Sequence, residues 1–142
     1  MAVVADSGAI YALYDSGDAH YTAVKRALGS ERGVILIPAA VLAEIDYLLR
    51  TFLGSGAELD FLESILEGAL TVEPPQRTDW VRCRELIRRY RDLDLGLADS
   101  MVIATAERLG IHRILTVDQR HFRAVVSAGG KPFVLLPPDR IR

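Results

Sequence analysis

Apolar positions along the chain follow two patterns. Short, largely apolar runs occupy residues 1–5, 34–37, 70–72, 114–117 and 133–136, and they read as strands buried on both faces rather than on one. The first ends at Asp6, the second is stopped by Pro38, the third is closed by Pro74 and Pro75, and the fourth ends at Asp118. Between them the apolar spacing becomes helical. Residues 39–52 carry Val41, Leu42, Ile45, Leu48, Leu49 and Phe52 on one stripe, with Gly54 and Gly56 as stop signals. Residues 57–66 repeat the pattern through Leu59, Leu62, Ile65 and Leu66, and residues 78–90 predict a longer helix. Residues 97–109 form an Ala-rich helix ended by Gly110. Near the N-terminus, residues 9–13 begin a helix, 15–18 read as a turn, 20–28 as a helix and 29–33 as a loop.

Strands that are apolar throughout and alternate with helices describe a parallel sheet covered on both faces. At 142 residues, with no repeat or linker, the chain reads as one α/β domain over residues 1–142. Half of the residues are hydrophobic and a quarter charged, as in a soluble globular protein. No apolar run is long enough for a membrane span, and no basic segment precedes an apolar stretch at the N-terminus. The expectation is therefore a cytoplasmic protein without a membrane partner. Cys83 is the only cysteine, which rules out an intrachain disulfide and a multi-cysteine zinc site. A net charge of −2, from 17 basic and 19 acidic side chains, argues against coating nucleic acid by charge alone. It leaves room for an acidic metal site offset by a local basic face.

Four acids stand out by position. In an open α/β sheet, ligands sit at the carboxyl ends of the strands, where Asp6 and Asp118 are expected. Either could equally be a turn residue or helix N-cap. Glu44 lies about 40° outside the edge of its helix's apolar stripe. Asp99 occupies the first turn of an otherwise apolar helix, where the helix dipole alone stabilises it by ~0.3–1 kcal/mol. Each acid taken singly has an ordinary structural explanation. Gathered in one crevice, they repel one another unless a cation intervenes, and hard oxygen ligands suit Mg²⁺ or Mn²⁺. His20, His112 and His121 lack ligand spacing, and no Gly-rich phosphate loop is present.

These four acids, in this order, resemble the PIN domain, specifically the VapC-type ribonuclease toxins of prokaryotic toxin–antitoxin pairs. The likeness rests on Val3-Val4-Ala5-Asp6-Ser7, Val41-Leu42-Ala43-Glu44-Ile45, Leu97-Ala98-Asp99-Ser100, and Leu115-Thr116-Val117-Asp118 followed by Arg120-His121-Phe122. It implies a three-layer α/β/α fold with a central parallel sheet of order 3-2-1-4-5. It also implies a Mg²⁺- or Mn²⁺-dependent endoribonuclease, a homodimer, and inhibition by a cognate antitoxin. By matching position, Asp6, Glu44, Asp99 and Asp118 would be the catalytic, metal-binding acids, supported by Ser7 and Thr116, with Asp94 as an outer ligand or helix cap. Gly8 departs from the pattern, where a Ser or Asn often follows the Asp-Ser pair. Ala43-Glu44-Ile45-Asp46-Tyr47-Leu48-Leu49 is similar to members that cut the sarcin–ricin loop of ribosomal RNA; others cut tRNA.

Candidate RNA contacts are Arg120 and His121, just beyond Asp118. Arg84 and Arg88 join Arg91 on one face of the 78–90 helix. That face could hold phosphates, or be a solvated surface with Glu85 and Asp92 as ion-pair partners. Tyr11 and Tyr14 could stack on bases or pack in the core. Two other readings stand beside the nuclease: a catalytically inactive PIN-like module that binds RNA or protein, and a phosphotransfer domain. The second would want an aspartate two residues after Asp6, where Gly8 stands.

Overall fold

The computed structural model describes residues 2–30 and 33–138. Its frame is a five-stranded, all-parallel sheet in the order β3-β2-β1-β4-β5, built from β1 (Val3–Ala5), β2 (Ile35–Pro38), β3 (Thr71–Glu73), β4 (Arg113–Leu115) and β5 (Val134–Leu136). The register sets Val4 opposite both Leu36 and Ile114. β1 therefore lies at the centre, and the order of connection reverses there. Val3, Val4, Ala5, Ile37, Ile114 and Leu115 are all buried, which is why these runs are apolar without alternation.

Helices cover the sheet: α1 (Ser7–Tyr14), α2 (Tyr21–Ser30), α3 (Leu42–Phe52), α4 (Ser55–Leu66), α5 (Arg77–Arg89), α6 (Leu97–Leu109) and the short α7 (Arg120–Arg123). Between β2 and α3 the chain makes a 3-10 turn over Ala39–Val41. Residues 100–106 of α6 are all buried, so this Ala-rich helix lies within the core. It ends where Gly110 takes φ of 68°, a left-handed conformation suited to glycine. No helix among the described residues is long and apolar enough to cross a membrane.

The expected elements are present with shifted ends. α2 continues through Gly29 to Ser30, so the expected 29–33 loop starts later; its residues 31 and 32 lie outside the described ones. Leu53 and Gly54 separate α3 from α4, Gly54 at φ of 90°, while Gly56 falls inside the first turn of α4. β4 stops at Leu115, not Val117, because the backbone N–H of Thr116 makes the last sheet bond, to Leu136 O at 2.8 Å. Asp118 consequently sits three residues past the strand, in the turn to α7. Phe52, expected on the buried stripe of α3, is 64% exposed and meets the Tyr11 ring edge-on. Tyr14 packs edge-on against Phe61. Both tyrosine hydroxyls are engaged, by Asp15 and Ser64, so these rings serve packing.

Candidate active site

The site lies at the carboxyl end of β1, beside the reversal in strand order. Asp6 follows the last residue of this central strand and caps α1, which leaves it only 8% exposed. One carboxylate oxygen accepts the Ser7 backbone N–H at 2.7 Å; the other accepts the Thr116 hydroxyl at 3.1 Å. Burial raises its pKa from 3.8 to about 6, the Ser7 N–H opposes the rise, and the negative charges of Asp99 and Glu44 add to it. Asp6 is thus an acid whose ionisation the folded protein resists.

Glu44 stands in the first turn of α3, which packs against α1. Its Oε1 accepts the Ser7 hydroxyl at 2.5 Å, whereas that hydroxyl lies 3.5 Å from Asp6 Oδ1. A serine has one hydroxyl proton, and the shorter contact takes it. Ser7 therefore serves Asp6 through its backbone and Glu44 through its side chain. Asp99 enters from the first turn of α6, with Oδ2 2.8 Å from His121 Nδ1 on α7. An ionised carboxylate only accepts, so Nδ1 carries the proton. This contact was absent from the sequence expectation, which gave His121 to the RNA. Position is its only signal, since His121 follows Asp118 by three residues in a helix too short to show a period.

Asp118 is placed differently. Its side chain is 53% exposed and pairs with Arg120 Nε at 3.2 Å, and this guanidinium holds its pKa below the ordinary carboxylate value. Only its backbone carbonyl reaches inward, to 3.2 Å from the Thr116 hydroxyl, whose single proton the shorter contact with Asp6 takes. Among the described residues, no three His, Cys, Asp or Glu side chains are close enough to hold a metal ion as they stand. The structure brings Asp6, Glu44 and Asp99 within electrostatic reach of one another and leaves Asp118 at the rim. There it borders a cleft of about 860 Å³, together with His20, Arg120 and Pro137. Gln119 stitches that rim, donating to Thr116 O at 3.3 Å and Pro137 O at 2.8 Å.

Asp94 adopts a left-handed turn at φ of 52°, two residues before Gly96, the N-cap of α6. No hydrogen bond or ion pair among the described residues joins it to the other acids, and it is not the cap. Arg84 and Arg88 are exposed on α5, one helix removed from the crevice. Gly8 has a local reason. A Cβ there would stand 3.0 Å from Val117 Cγ2, so the glycine makes room for the β4–α7 turn. The departure from the expected pattern is a packing solution.

The PIN-domain family model matches residues 3–127. Ribonuclease VapC26 of Mycobacterium tuberculosis (strain ATCC 25618 / H37Rv) is 30% identical over 135 residues, covering 95% of this chain and all of the relative. Among solved structures, M. tuberculosis VapC20, described as a sarcin–ricin loop cleaving toxin, has a TM-score of 0.76 at 22% identity, over 84% of this chain and 92% of that one. VapBC2 from Rickettsia felis, bound to a DNA fragment from its promoter, has a TM-score of 0.67 at 15% identity, over 95% and 97%. The family match over most of the chain, the full-length identity to a VapC ribonuclease and the shared sheet order agree: this chain belongs to the PIN-domain family, among its VapC-type members.

Proposed function

We propose that the chain is a Mg²⁺-dependent endoribonuclease toxin, with Mn²⁺ as an alternative ion. The observation that carries the reading is Asp6: a buried carboxylate, its pKa about 6, facing the further negative charges of Asp99 and Glu44. Such a cluster stores repulsion that a divalent cation would relieve, and an all-oxygen donor set fits Mg²⁺ or Mn²⁺ better than zinc. Asp6, Glu44 and Asp99 would hold the ion, joined by Asp118 once it turns from Arg120. When bound, the ion supplies Lewis acidity toward a phosphodiester and its attacking water.

The chain's own residues do the rest. Ser7 fixes Glu44, Thr116 fixes Asp6, and His121 fixes Asp99, so three acids are oriented before any ligand arrives. Arg120, once freed from Asp118, would offer its guanidinium to a phosphate oxygen. As RNA target we favour a ribosomal stem-loop of the sarcin–ricin type, the substrate named for VapC20. Cleavage of ribosomal RNA with and without Mg²⁺, comparing wild type with Asp6→Asn, tests the reading. Loss of cleavage on removing either the ion or the carboxylate is expected. Undiminished cleavage by Asp6→Asn would overturn it.

The same reading includes a cognate antitoxin and a homodimer. Leu59, Leu62 and Leu66 share one side of α4 and are between 49% and 80% exposed, an apolar stripe turned to solvent. This face supports a protein partner. Co-purification with the product of the adjacent reading frame tests the antitoxin, and sedimentation of the isolated chain tests the dimer.

A further inference from the structure

The outward face of α5 carries a feature that the crevice does not use. On the helical wheel Asp79, Cys83 and Leu86 mark the buried side. Arg77, Arg84 and Arg88 fall within about 40° of one another on the opposite side, spanning about 16 Å of helix. All three are exposed, as is Arg91 just beyond the helix. The acids within the helix are committed elsewhere, Asp79 to Arg108 and Glu85 to Arg82, which leaves exposed Asp92 beside Arg91. No ion pair among the described residues joins Arg77, Arg84, Arg88 or Arg91. A chain of net charge −2 therefore presents a concentrated positive stripe.

Two observations give the stripe a direction and a ligand. α5 and α6 run antiparallel, with Asp79 against Arg108 and Arg82 against Glu107. That register sets Arg88 abreast of the first turn of α6, the turn that carries Asp99. One end of the stripe is thus level with the crevice, one helix away from it on the outer side of α5, and the other leads away. Trp80, 45% exposed, stands one helical turn from both Arg77 and Arg84, so an aromatic surface interrupts the row of guanidinium groups. Arginines spaced along a line with an aromatic face between them match single-stranded nucleic acid: charges follow the backbone while a base stacks.

We propose that Arg77, Arg84, Arg88 and Trp80 form an exosite on α5 for a single-stranded segment of the RNA whose scissile phosphate occupies the carboxylate crevice. The inference rests on the proposed ribonuclease reading and adds a second contact surface, which favours long substrates over short ones. Its test is fluorescence anisotropy in EDTA with a single-stranded RNA of roughly 16 nucleotides, across a salt series. Arg84→Gln/Arg88→Gln should lower affinity about tenfold at low salt. It should also shrink the slope of log affinity against log salt by about 1.4, the share of two phosphate contacts on a single strand. Trp80→Ala should weaken binding about fivefold or more with the slope unchanged, since stacking releases no counterions.

Arg26→Gln/Arg50→Gln, with the same loss of charge on α2 and α3, should match wild type. Equal slopes for stripe and control variants overturn the proposal. So does a stripe variant that binds RNA normally yet loses a co-purifying protein, which would assign the face to that partner. Cleavage of ribosomal RNA by wild type with and without Mg²⁺ reads the crevice independently of these slopes. Its failure sinks the nuclease reading and leaves the binding slopes interpretable.

Discussion

At the scale of single residues, Asp6 sets function against stability. Its folded pKa of about 6 stands above the ordinary 3.8, so between those values the folded state holds the proton more tightly than the unfolded one. Stability attributable to this group therefore falls as pH rises from 4 to 6 and is level above that, by about 3 kcal/mol in all. Asp6→Asn should remove much of that penalty. The amide oxygen can accept the Ser7 N–H, and the amide N–H₂ can donate to Thr116, whose own proton is free for the Asp118 carbonyl. Denaturant unfolding at pH 7.5 should show Asp6→Asn more stable than wild type by about 1–3 kcal/mol, with the pH 4–6 slope flattened. A less stable variant at pH 7.5 would mean that the carboxylate is held without strain. Gly8 is a second residue whose meaning only packing reveals. Gly8→Ala gains helix propensity of about 1 kcal/mol but presses on Val117. It should stabilise the Val117→Ala background more than wild type, a coupling that a double-mutant cycle measures.

At the scale of elements, α5 and α6 are joined by a charged clamp. Asp79 is 1% exposed, yet it closes the capping box of α5 by accepting the Gln76 N–H at 2.9 Å, and it receives Arg108 Nε at 2.9 Å. Arg108 also reaches Glu73 at the end of β3, at 3.0 Å. Removing the arginine strands a buried carboxylate, so Arg108→Ala should cost about 3 kcal/mol or more in chemical denaturation. Arg50→Ala, which breaks an exposed pair with Glu58 at 3.7 Å, should change stability by less than about 1 kcal/mol. Comparable losses from the two would refute the clamp. Elements of this kind were legible in the sequence where a period repeats. α6 is found at its true ends because a long apolar period closes on Gly110. α7 has four residues and no period, so nothing in the sequence announced it, and with it went the His121–Asp99 contact. Asp118 was expected at a strand end because Val117 continues the apolar run. Sheet hydrogen bonding ends sooner, with the Thr116 N–H on Leu136 O, and the Thr116 hydroxyl turns to Asp6.

At the scale of the whole molecule, one central strand explains why acids far apart in sequence meet. β1 has neighbours on both sides, so the aspartate at its carboxyl end is buried, while helices on opposite sides of the chain's path bring Glu44 and Asp99 to the same end. Ionisation of Asp6 and the proposed uptake of a cation are consequently opposed by the same burial, and protons should compete with Mg²⁺. The folded protein alone assembles the acids, so Mg²⁺ should stabilise it by about 2.7 kcal/mol at a hundredfold excess over Kd. Above pH 7 Asp6 is ionised and the full shift should appear. Below pH 6 each unit of pH should weaken Mg²⁺ affinity about tenfold, on account of this one group. Thermal unfolding with and without Mg²⁺ at pH 5 and pH 8 checks this: a clear rise in Tm is expected at pH 8, a small one at pH 5, and none at either pH in Asp6→Asn. A rise of equal size at both pH values in wild type would place the cation away from Asp6, because only a site that does not require this carboxylate ionised escapes the competition.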